Sequence, residues 1–423
     1  MTGQNPREIA VRVLTRPTAG AEFIEPALER ELAKADLTPP DRALCLELTR
    51  GVVRWRRTLD WLIARKTEGR AQNQTILVLL EMGLYQLFWL SRIPDHAAVH
   101  ETVELGKRLG FGPRAGFLNA ILRGFLRERE QTAALLSELK VSQPDLGYSH
   151  PEWIFQRWLH RFGLENTIRL LEWNNTPPPT FARLNTLKAT AAELAAVWQA
   201  EGVQFKQCAW DWTGEDMVFE LESHPSLAGL GSFQRGLFYI QDPSTLLAPQ
   251  TLAPQPGETV LDFCAAPGGK TAFMAQLMDN RGRLVAQDRD AEHLQRVREN
   301  CDRLGVQCVE AGAADLMFDR ILVDAPCSNT GVLRRRVELR WRIQPSEIDR
   351  LRQAQLELLQ TAAARLKPGG TLVYSTCSLE PEENEEVVKA FLAANPQFKL
   401  ESERTLVPFT AGVDGGYVAR LAR

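Results

Sequence analysis

From Tyr239 to the C-terminus, short apolar runs alternate with longer amphipathic stretches, and few folds accept that rhythm. The runs Glu258–Phe263, Arg283–Gln287, Val306–Val309, Arg320–Val323 and Thr371–Ser375 have the length and apolar content of buried strands. Helices are expected from Thr271 and over Asp290–Leu304, Ser346–Leu366 and Glu382–Ala394, with two short strands at the end. Strand–helix alternation at this spacing predicts an α/β fold: an open, mostly parallel Rossmann-like sheet covered on both faces. Ligands of such sheets lie beyond the carboxyl ends of the strands, so the residues there carry the functional information.

The rest of the chain reads differently. Apolar residues recur at helical spacing in Ile9, Val13 and Leu14, in Leu44, Leu48 and Val52, and in Leu77, Leu80, Leu84 and Leu87. Pro39, Pro40, Pro94 and the Gly110–Pro113 stretch punctuate these runs, predicting a bundle of five or more helices and an all-helical domain over residues 1–140. Residues 145–238 are expected to form a small mixed module. It opens with a helix over His150–Asn174, which the TPPPT run at Thr176–Thr180 stops. An extended Phe181–Leu187, a helix over Thr190–Gln199 and two short alternating pieces follow. The α/β domain then spans 239–423. A multidomain chain suits 423 residues.

Composition narrows the function classes. The 44% hydrophobic and 24% charged content is that of a globular protein with a sizeable core. The most apolar stretch, Ile76–Leu90, contains Glu81 and Gln86 and is too short to span a bilayer, so a buried helix and no membrane are expected. Met1–Ala10 has no apolar core of the signal-peptide type. The seven cysteines (Cys45, Cys208, Cys264, Cys301, Cys308, Cys327 and Cys377) include no CxxC pair, and the six histidines are scattered. That pattern argues against a disulfide framework or a structural metal and fits a reducing cytoplasm. The net charge of -3 does not advertise a nucleic-acid binder, but a phosphate backbone senses only the local face.

Two groups of residues at strand ends point to a cofactor. LDFCAAPGGKT, Leu261–Thr271, joins a strand to a helix. Its Cys264, Ala265, Ala266, Pro267, Gly268, Gly269 and Lys270 form a turn in which glycine allows close backbone approach and the helix start offers free amides. A plain structural turn has the same look. A P-loop would need glycine where Cys264 stands, and the dinucleotide string GxGxxG is missing. Asp288 ends the next strand, where a carboxylate accepts hydrogen bonds from ribose hydroxyls or serves a helix start. Together they indicate an adenosine-containing ligand, either a nicotinamide cofactor or S-adenosyl-L-methionine.

The cysteines decide between these. LVDAPCSNTG, Leu322–Gly331, carries Asp324 and Cys327, and LVYSTCSLEPEEN, Leu372–Asn384, carries Cys377. Both follow strands on the ligand side. A lone cysteine there is usually a small buried hydrophobe. Two beside an adenosine site suit cytosine methylation, because carbon 5 of cytosine becomes nucleophilic once a thiolate has added to carbon 6. An acid near base nitrogen 3 would stabilise that adduct, and Asp324 is the candidate. The base must leave its stack to reach such a pocket. After Cys327, Arg334, Arg335, Arg336, Arg340 and Arg342 make the densest positive run, a phosphate contact or a solvated face. Trp341 would stack on a base or anchor the loop. Arg50, Arg54, Arg56, Arg57, Arg65 and Lys66 pose the same choice in the helical region, and Arg183 and Asn185 in FARLN are further RNA-contact candidates.

AAPGGK at Ala265–Lys270, DAPCS at Asp324–Ser328 and STCS at Ser375–Ser378 resemble the RNA (cytosine-5) methyltransferase family, most closely its bacterial Sun/Fmu type acting on small-subunit rRNA. YIQDPS, Tyr239–Ser244, is similar to that family's entry into its catalytic domain, and FARLNT, Phe181–Thr186, to its RNA-facing motif. GVVRWRRTLD at Gly51–Asp60, IPDHAAVHETVELGK at Ile93–Lys107 and GFLNAILRGFLRE at Gly116–Glu128 resemble the helical RNA-binding domain of the antitermination factor NusB. The resemblance implies an S-adenosyl-L-methionine-dependent rRNA (cytosine-C5)-methyltransferase with Cys377 as nucleophile, Cys327 assisting product release, and Lys270, Asp288 and Asp324 in the family's lysine, ribose-side and catalytic-loop positions. It implies action on 16S rRNA before or during assembly; a monomer is expected separately from that resemblance. A tRNA cytosine-5 methyltransferase and a non-catalytic assembly or antitermination factor are the alternatives. Three strings depart from the family. EAGAADLMFDR, Glu310–Arg320, lacks the usual Gly-Asp, leaving Ala313 or Asp315 at the adenine-side position. Arg336–Glu338 replaces His-Pro-Asp, and Asp414–Tyr417 reads DGGY where a more aromatic string is usual.

Overall fold

The computed structural model describes residues 5–15, 23–313 and 315–423. The chain forms two compact units: Met1–Thr176 with Arg336–Arg342, and Pro177–Arg335 with Ile343–Arg423.

The first unit is helical, with helices Pro6–Leu14, Ile24–Ala33, Pro39–Lys66, Gln74–Trp89, Asp95–Gly106, Ala115–Arg127, Arg129–Ser142 and Glu152–Asn175 among its described residues. Local chemistry sets the starts: the Thr38 hydroxyl accepts the Asp41 amide at 3.3 Å ahead of Pro39 and Pro40, and the Asn73 side chain caps Gln74–Trp89. Gln74–Trp89 is buried along most of its length, which makes it the centre of the bundle. Leu79, Leu80 and Leu84 there meet a core that includes Leu48, Val52, Leu118 and Leu122. Gly51 permits the closest helix contact, since a Cβ there would lie 2.0 Å from the Tyr85 ring. The helix beginning at Glu152, expected to open the middle module, belongs to this unit, as does the short segment Arg336–Arg342.

The second unit contains two sheets. The small antiparallel one has the order β2-β3-β1-β4, from β1 (Thr180–Leu184), β2 (Gln204–Cys208), β3 (Val218–Ser223) and β4 (Phe238–Ile240). Helix Ala191–Ala200 covers it, started by a reciprocal Thr190–Glu193 capping box, with Trp198 packed on Phe205, Phe219 and Phe238.

The large sheet has β5 (Thr259–Phe263), β6 (Arg283–Gln287), β7 (Val309–Ala311), β8 (Phe318–Asp324), β9 (Leu366–Thr376), β10 (Lys399–Leu406) and β11 (Gly416–Ala422) in the order β10-β11-β9-β8-β5-β6-β7. β5 to β9 are parallel, and β11 runs antiparallel between β9 and β10. Alternate residues serve opposite faces: Val260, Leu284 and Leu322 join Phe273, Met274 and Val297, while Leu261, Val285 and Ile321 join Leu359 and Phe391. Strand order reverses at β5, so the crevice beyond β5 and β8 is the topological switch point.

The third parallel strand starts at Val309 rather than Val306. Gly305, at φ 73°, ends helix Ala291–Leu304, and the Val306 amide turns back to the Cys301 carbonyl at 2.9 Å. The Val306 side chain is thereby used as a core plug instead of a strand residue. Helix Glu385–Ala394 likewise starts three residues later than the periodicity predicts, because Pro381–Glu383 forms a 3-10 turn that sends Glu383 inward.

Candidate active site

The cofactor turn grows out of β5. Cys264 and Gly268 both adopt positive φ, 103° and 101°, and helix Gly269–Leu277 begins at once. The Cys264 and Ala265 amides donate to the Gln287 carbonyl at 3.0 and 2.8 Å, fastening the turn to the end of β6. Asp288 follows, accepting the Ala266 amide at 3.3 Å and facing His293 Nδ1 at 3.2 Å. A Cβ at Gly269 would come within 2.7 Å of Tyr239, so a side chain has no room there.

Carboxylates dominate the surroundings. Asp262 is fully buried and accepts the Thr271 hydroxyl at 2.6 Å through Oδ2, while its Oδ1 has no hydrogen-bond partner. Burial, with the charges of Asp324 and Asp288 adding to it, pushes its pKa up to about 7. Burial and the charges of Asp324, Asp262 and Asp288 also raise the Cys264 thiol, which disfavours its thiolate. A turn with free helix-start amides and three acidic groups fits a ligand that carries both ribose hydroxyls and positive charge, as S-adenosyl-L-methionine does. Asp288 would hold the ribose. Ala313 and Asp315 lie exposed in the loop after β7, and the Asp315 charge acts on Arg365. Ala314 is outside the described residues.

The chemical groups meet one strand away. β8 and β9 are parallel with Asp324 level with Ser375, so the loops that leave them run side by side. This brings Cys327 Sγ within 3.2 Å of Cys377 Sγ, fifty positions apart in sequence. The Cys377 amide donates to Cys327 Sγ at 3.3 Å, and the Cys377 thiol donates to Asn329 Oδ1 at 3.1 Å. Asn329 sits in the left-handed region at φ 60° and returns its own amide to the Cys327 carbonyl at 2.6 Å. Cys327 is buried, and the Cys377 thiol, burial and the charges of Cys377 and Glu383 all raise its pKa. Cys377 is partly exposed.

Asp324 joins the two halves. Its Oδ2 accepts Lys270 Nζ from the cofactor turn at 2.6 Å, and its Oδ1 accepts the Ser375 hydroxyl at 2.8 Å. Burial alone would lower the Lys270 pKa, but the Asp324 carboxylate outweighs it and holds the ammonium above the ordinary lysine range.

Comparison with known proteins decides the family. The model of the "16S rRNA methyltransferase RsmB/F" family matches residues 249–421, that of the "NusB family" residues 4–127, and the "Methyltr_RsmF/B-like, ferredoxin-like domain" residues 150–214. The "Probable ribosomal RNA small subunit methyltransferase B" of Bacillus subtilis (strain 168) is 35% identical over 404 residues, covering 93% of this chain and 89% of the relative. This chain belongs to the RsmB/F methyltransferase family. Among solved structures, a methyltransferase homolog from Pyrococcus horikoshii is 33% identical, with a TM-score of 0.58 over 69% of this chain and 99% of the other. PH0851 shares the fold, with a TM-score of 0.80, 23% identity and coverage of 100% and 99%. An RsmB/F protein is an S-adenosyl-L-methionine-dependent methyltransferase of cytosine carbon 5 in RNA.

Several basic residues expected to face RNA lie elsewhere in this RsmB/F chain. Arg183 is 1% exposed: it donates to the Gly269 carbonyl at 3.0 Å and lies over the Phe273 and Tyr239 rings at 4.8 and 5.7 Å. Burial lowers its pKa to about 9. Asn185 is buried too, donating to the Gly236 and Leu304 carbonyls at 2.8 Å each. Arg334 is buried on Asp414 at 2.7 Å, and half-buried Arg335 bridges Asp414 and Asp242 at 2.5 and 2.8 Å. Arg340 is sealed inside the helical unit, and Trp341 Nε1 donates to the Val53 carbonyl at 2.7 Å, which makes that ring an anchor. Arg342 pairs with Glu338 at 2.6 Å. Arg336 is the exposed member of the run. In the helical unit Arg54 is buried, while Arg50, Arg57 and Lys66 pair with Glu25, Asp145 and Glu128. Counting arginines along the sequence misleads because their carboxylates and carbonyls come from distant segments.

Asn329, Ser328, Ser378 and Glu383 complete the site, and nothing in the sequence alone marks them out. Among the described residues no group of three or more His, Cys, Asp or Glu side chains is arranged to hold a metal ion, and no helix is long and apolar enough to cross a membrane.

Proposed function

We propose that this RsmB/F methyltransferase transfers the methyl group of S-adenosyl-L-methionine to carbon 5 of one cytosine in 16S rRNA, in the cytoplasm, before or during assembly of the small subunit. The observation that carries the reading is the 3.2 Å apposition of Cys327 and Cys377 beside an Asp324 held by Lys270 and Ser375. The small-subunit rRNA named for the Bacillus subtilis relative and the match to the NusB family support the choice of RNA.

The sulfur of Cys377, as thiolate, forms a bond to carbon 6 of the extruded cytosine. Partial exposure makes Cys377 the accessible member of the pair. In this reading Asp324 meets base nitrogen 3 and stabilises the electron-rich adduct, a role supported by the Lys270 ammonium 2.6 Å away that fixes its orientation. When bound, S-adenosyl-L-methionine supplies an electrophilic methyl to carbon 5. The proton at carbon 5 passes to solvent water, its bonding pair re-forms the ring double bond, and the bond from carbon 6 to Cys377 breaks with its electron pair returning to sulfur, which restores the aromatic ring and the thiolate. Cys327, already against that sulfur, assists the release.

The test is methyl transfer from labelled S-adenosyl-L-methionine to protein-free 16S rRNA and to bulk tRNA, with the product base mapped. Expected are label at one rRNA cytosine, its loss in Cys377→Ala, and a denaturation-resistant protein–RNA adduct in Cys327→Ala. Label confined to tRNA would move the substrate and keep the chemistry. Absence of label in both RNAs with a folded, cofactor-binding protein would sink the proposal.

A further inference from the structure

Beneath the two cysteine loops lies a carboxyl group that the mechanism above does not use. Glu383 is 0% exposed. Its Oε1 accepts the Ser328 backbone amide at 2.8 Å and Gln355 Nε2 at 3.0 Å. Its Oε2 accepts the Ser378 hydroxyl at 2.5 Å and the Ser328 hydroxyl. Ser328 directly follows Cys327, and Ser378 directly follows Cys377. The two hydroxyl oxygens lie 3.0 Å apart. Gln355 Nε2 also donates to the Pro326 carbonyl at 2.9 Å, on the other side of Cys327. One carboxyl therefore closes both loops from below, through the residue next to each sulfur.

The chemistry of this contact is unusual for a buried acid. All four hydrogen bonds come from neutral donors, which favour the ionised form, while burial raises the pKa against them. No ion pair joins Glu383 among the described residues, so its negative charge is left uncompensated by a cation. Cys327 feels that charge: the titratable groups acting on it are Cys377 and Glu383, and Tyr374, whose hydroxyl donates to the Glu383 carbonyl at 2.6 Å, stands beside them. A negative charge next to one thiol of a pair biases ionisation toward the other.

We infer that Glu383 is a positioning residue that clamps the Cys327 and Cys377 loops together and keeps Cys327 in its thiol form, so that Cys377 is the attacking sulfur. The inference rests on the adduct chemistry proposed above. Within that chemistry it gives a physical reason why two adjacent cysteines do not exchange roles.

The test uses the full-length protein. Alkylation by iodoacetamide is followed across pH, with Cys327 and Cys377 quantified on separate peptides, in wild type and Glu383→Gln. The glutamine keeps the shape and removes the charge. Cys327 alkylation near neutral pH is expected to rise about threefold or more, with its midpoint moving to lower pH. Methyl transfer is expected to fall about tenfold in kcat with the KM for RNA little changed, and part of the trapped RNA adduct should move to the Cys327 peptide. An unchanged Cys327 profile in folded Glu383→Gln overturns the inference. Should that variant not fold, Ser378→Ala decides, since the Ser378 hydroxyl is the bond that ties the Cys377 loop to the Glu383 carboxyl and its removal touches neither sulfur: unchanged transfer there overturns it as well. If wild type methylates no RNA, the proposed function fails, while the alkylation profiles still report on Glu383.

Discussion

Asp324 shows how much of this protein's chemistry rests on single contacts. Its two oxygens are each assigned, one to Lys270 in the cofactor turn and one to Ser375 beside the nucleophile. Replacing Lys270 with methionine removes the charge that orients Asp324 and keeps most of the volume. Methyl transfer should fall about a hundredfold, the scale of a displaced acid–base group, while thermal stability changes little. Steady-state kinetics beside a melting curve checks both halves; a full-rate Lys270→Met enzyme would remove Lys270 from the mechanism.

Asp262 gives a pH dependence. Its folded pKa of about 7 lies above the ordinary carboxyl value, so the native state holds a proton that the unfolded chain releases. Stability from this group is full below about pH 4 and is lost as pH rises toward 7. Asp262→Asn, which retains an acceptor for Thr271, is expected to narrow the gap between melting temperatures at pH 5 and pH 8. An equal gap in both proteins would contradict the assignment. Residues of this kind divide by legibility. Cys327, Cys377 and the glycine turn stand out in the sequence because strand ends are where an α/β sheet keeps its ligands. Arg183, Asn185 and Arg334 mislead because burial is decided by partners such as Gly269, Leu304 and Asp414. Glu383 hides within EPEEN, a string that looks solvated until the chain around the 3-10 turn folds Glu380 and Glu383 inward.

At the scale of elements, periodicity locates nearly every strand and helix of the large sheet and misplaces some ends. Val306 is apolar for the core rather than for β7, and no local signal separates the two uses. Helix contacts are less visible still. Gly51 looks like an unfavourable residue inside helix Pro39–Lys66, yet it marks the point where Tyr85 from Gln74–Trp89 presses on the backbone. Tyr85 cannot simply swing away, since it is buried and its hydroxyl donates to Glu47 at 2.5 Å. Gly51→Ala is therefore expected to destabilise the helical unit by about 2 kcal/mol despite alanine's better helix propensity. Chemical denaturation of the full chain, followed through the helical unit's tryptophans, reads the shift, and a stabilised variant would show that the ring gives way.

At the scale of the whole molecule, the chain leaves the catalytic unit after Arg335, adds seven residues to the helical unit and returns at Ile343. Those seven residues read in sequence as a basic surface loop, and their true use depends on acceptors 165 to 288 positions away. Arg340, 0% exposed, donates to the carbonyls of Arg54 and Ser149 at 3.3 and 3.2 Å, to Asn174 O at 2.9 Å and to Asn175 Oδ1 at 2.9 Å. Glu338 accepts the Ile24 amide at 2.6 Å, and Val337 enters the helical core. A fragment ending at Thr176 loses all of these and leaves several buried acceptors without donors, each costing about 1–3 kcal/mol. Such a fragment should melt well below the helical transition of the full chain. A synthetic peptide covering residues 333–345 should raise its melting temperature in proportion to the logarithm of peptide concentration once above the Kd. The same peptide with Arg340→Ala should not. If the fragment alone matches the full chain, the segment's hydrogen bonds contribute nothing net, and the helical unit is a self-sufficient domain that the catalytic sequence merely touches.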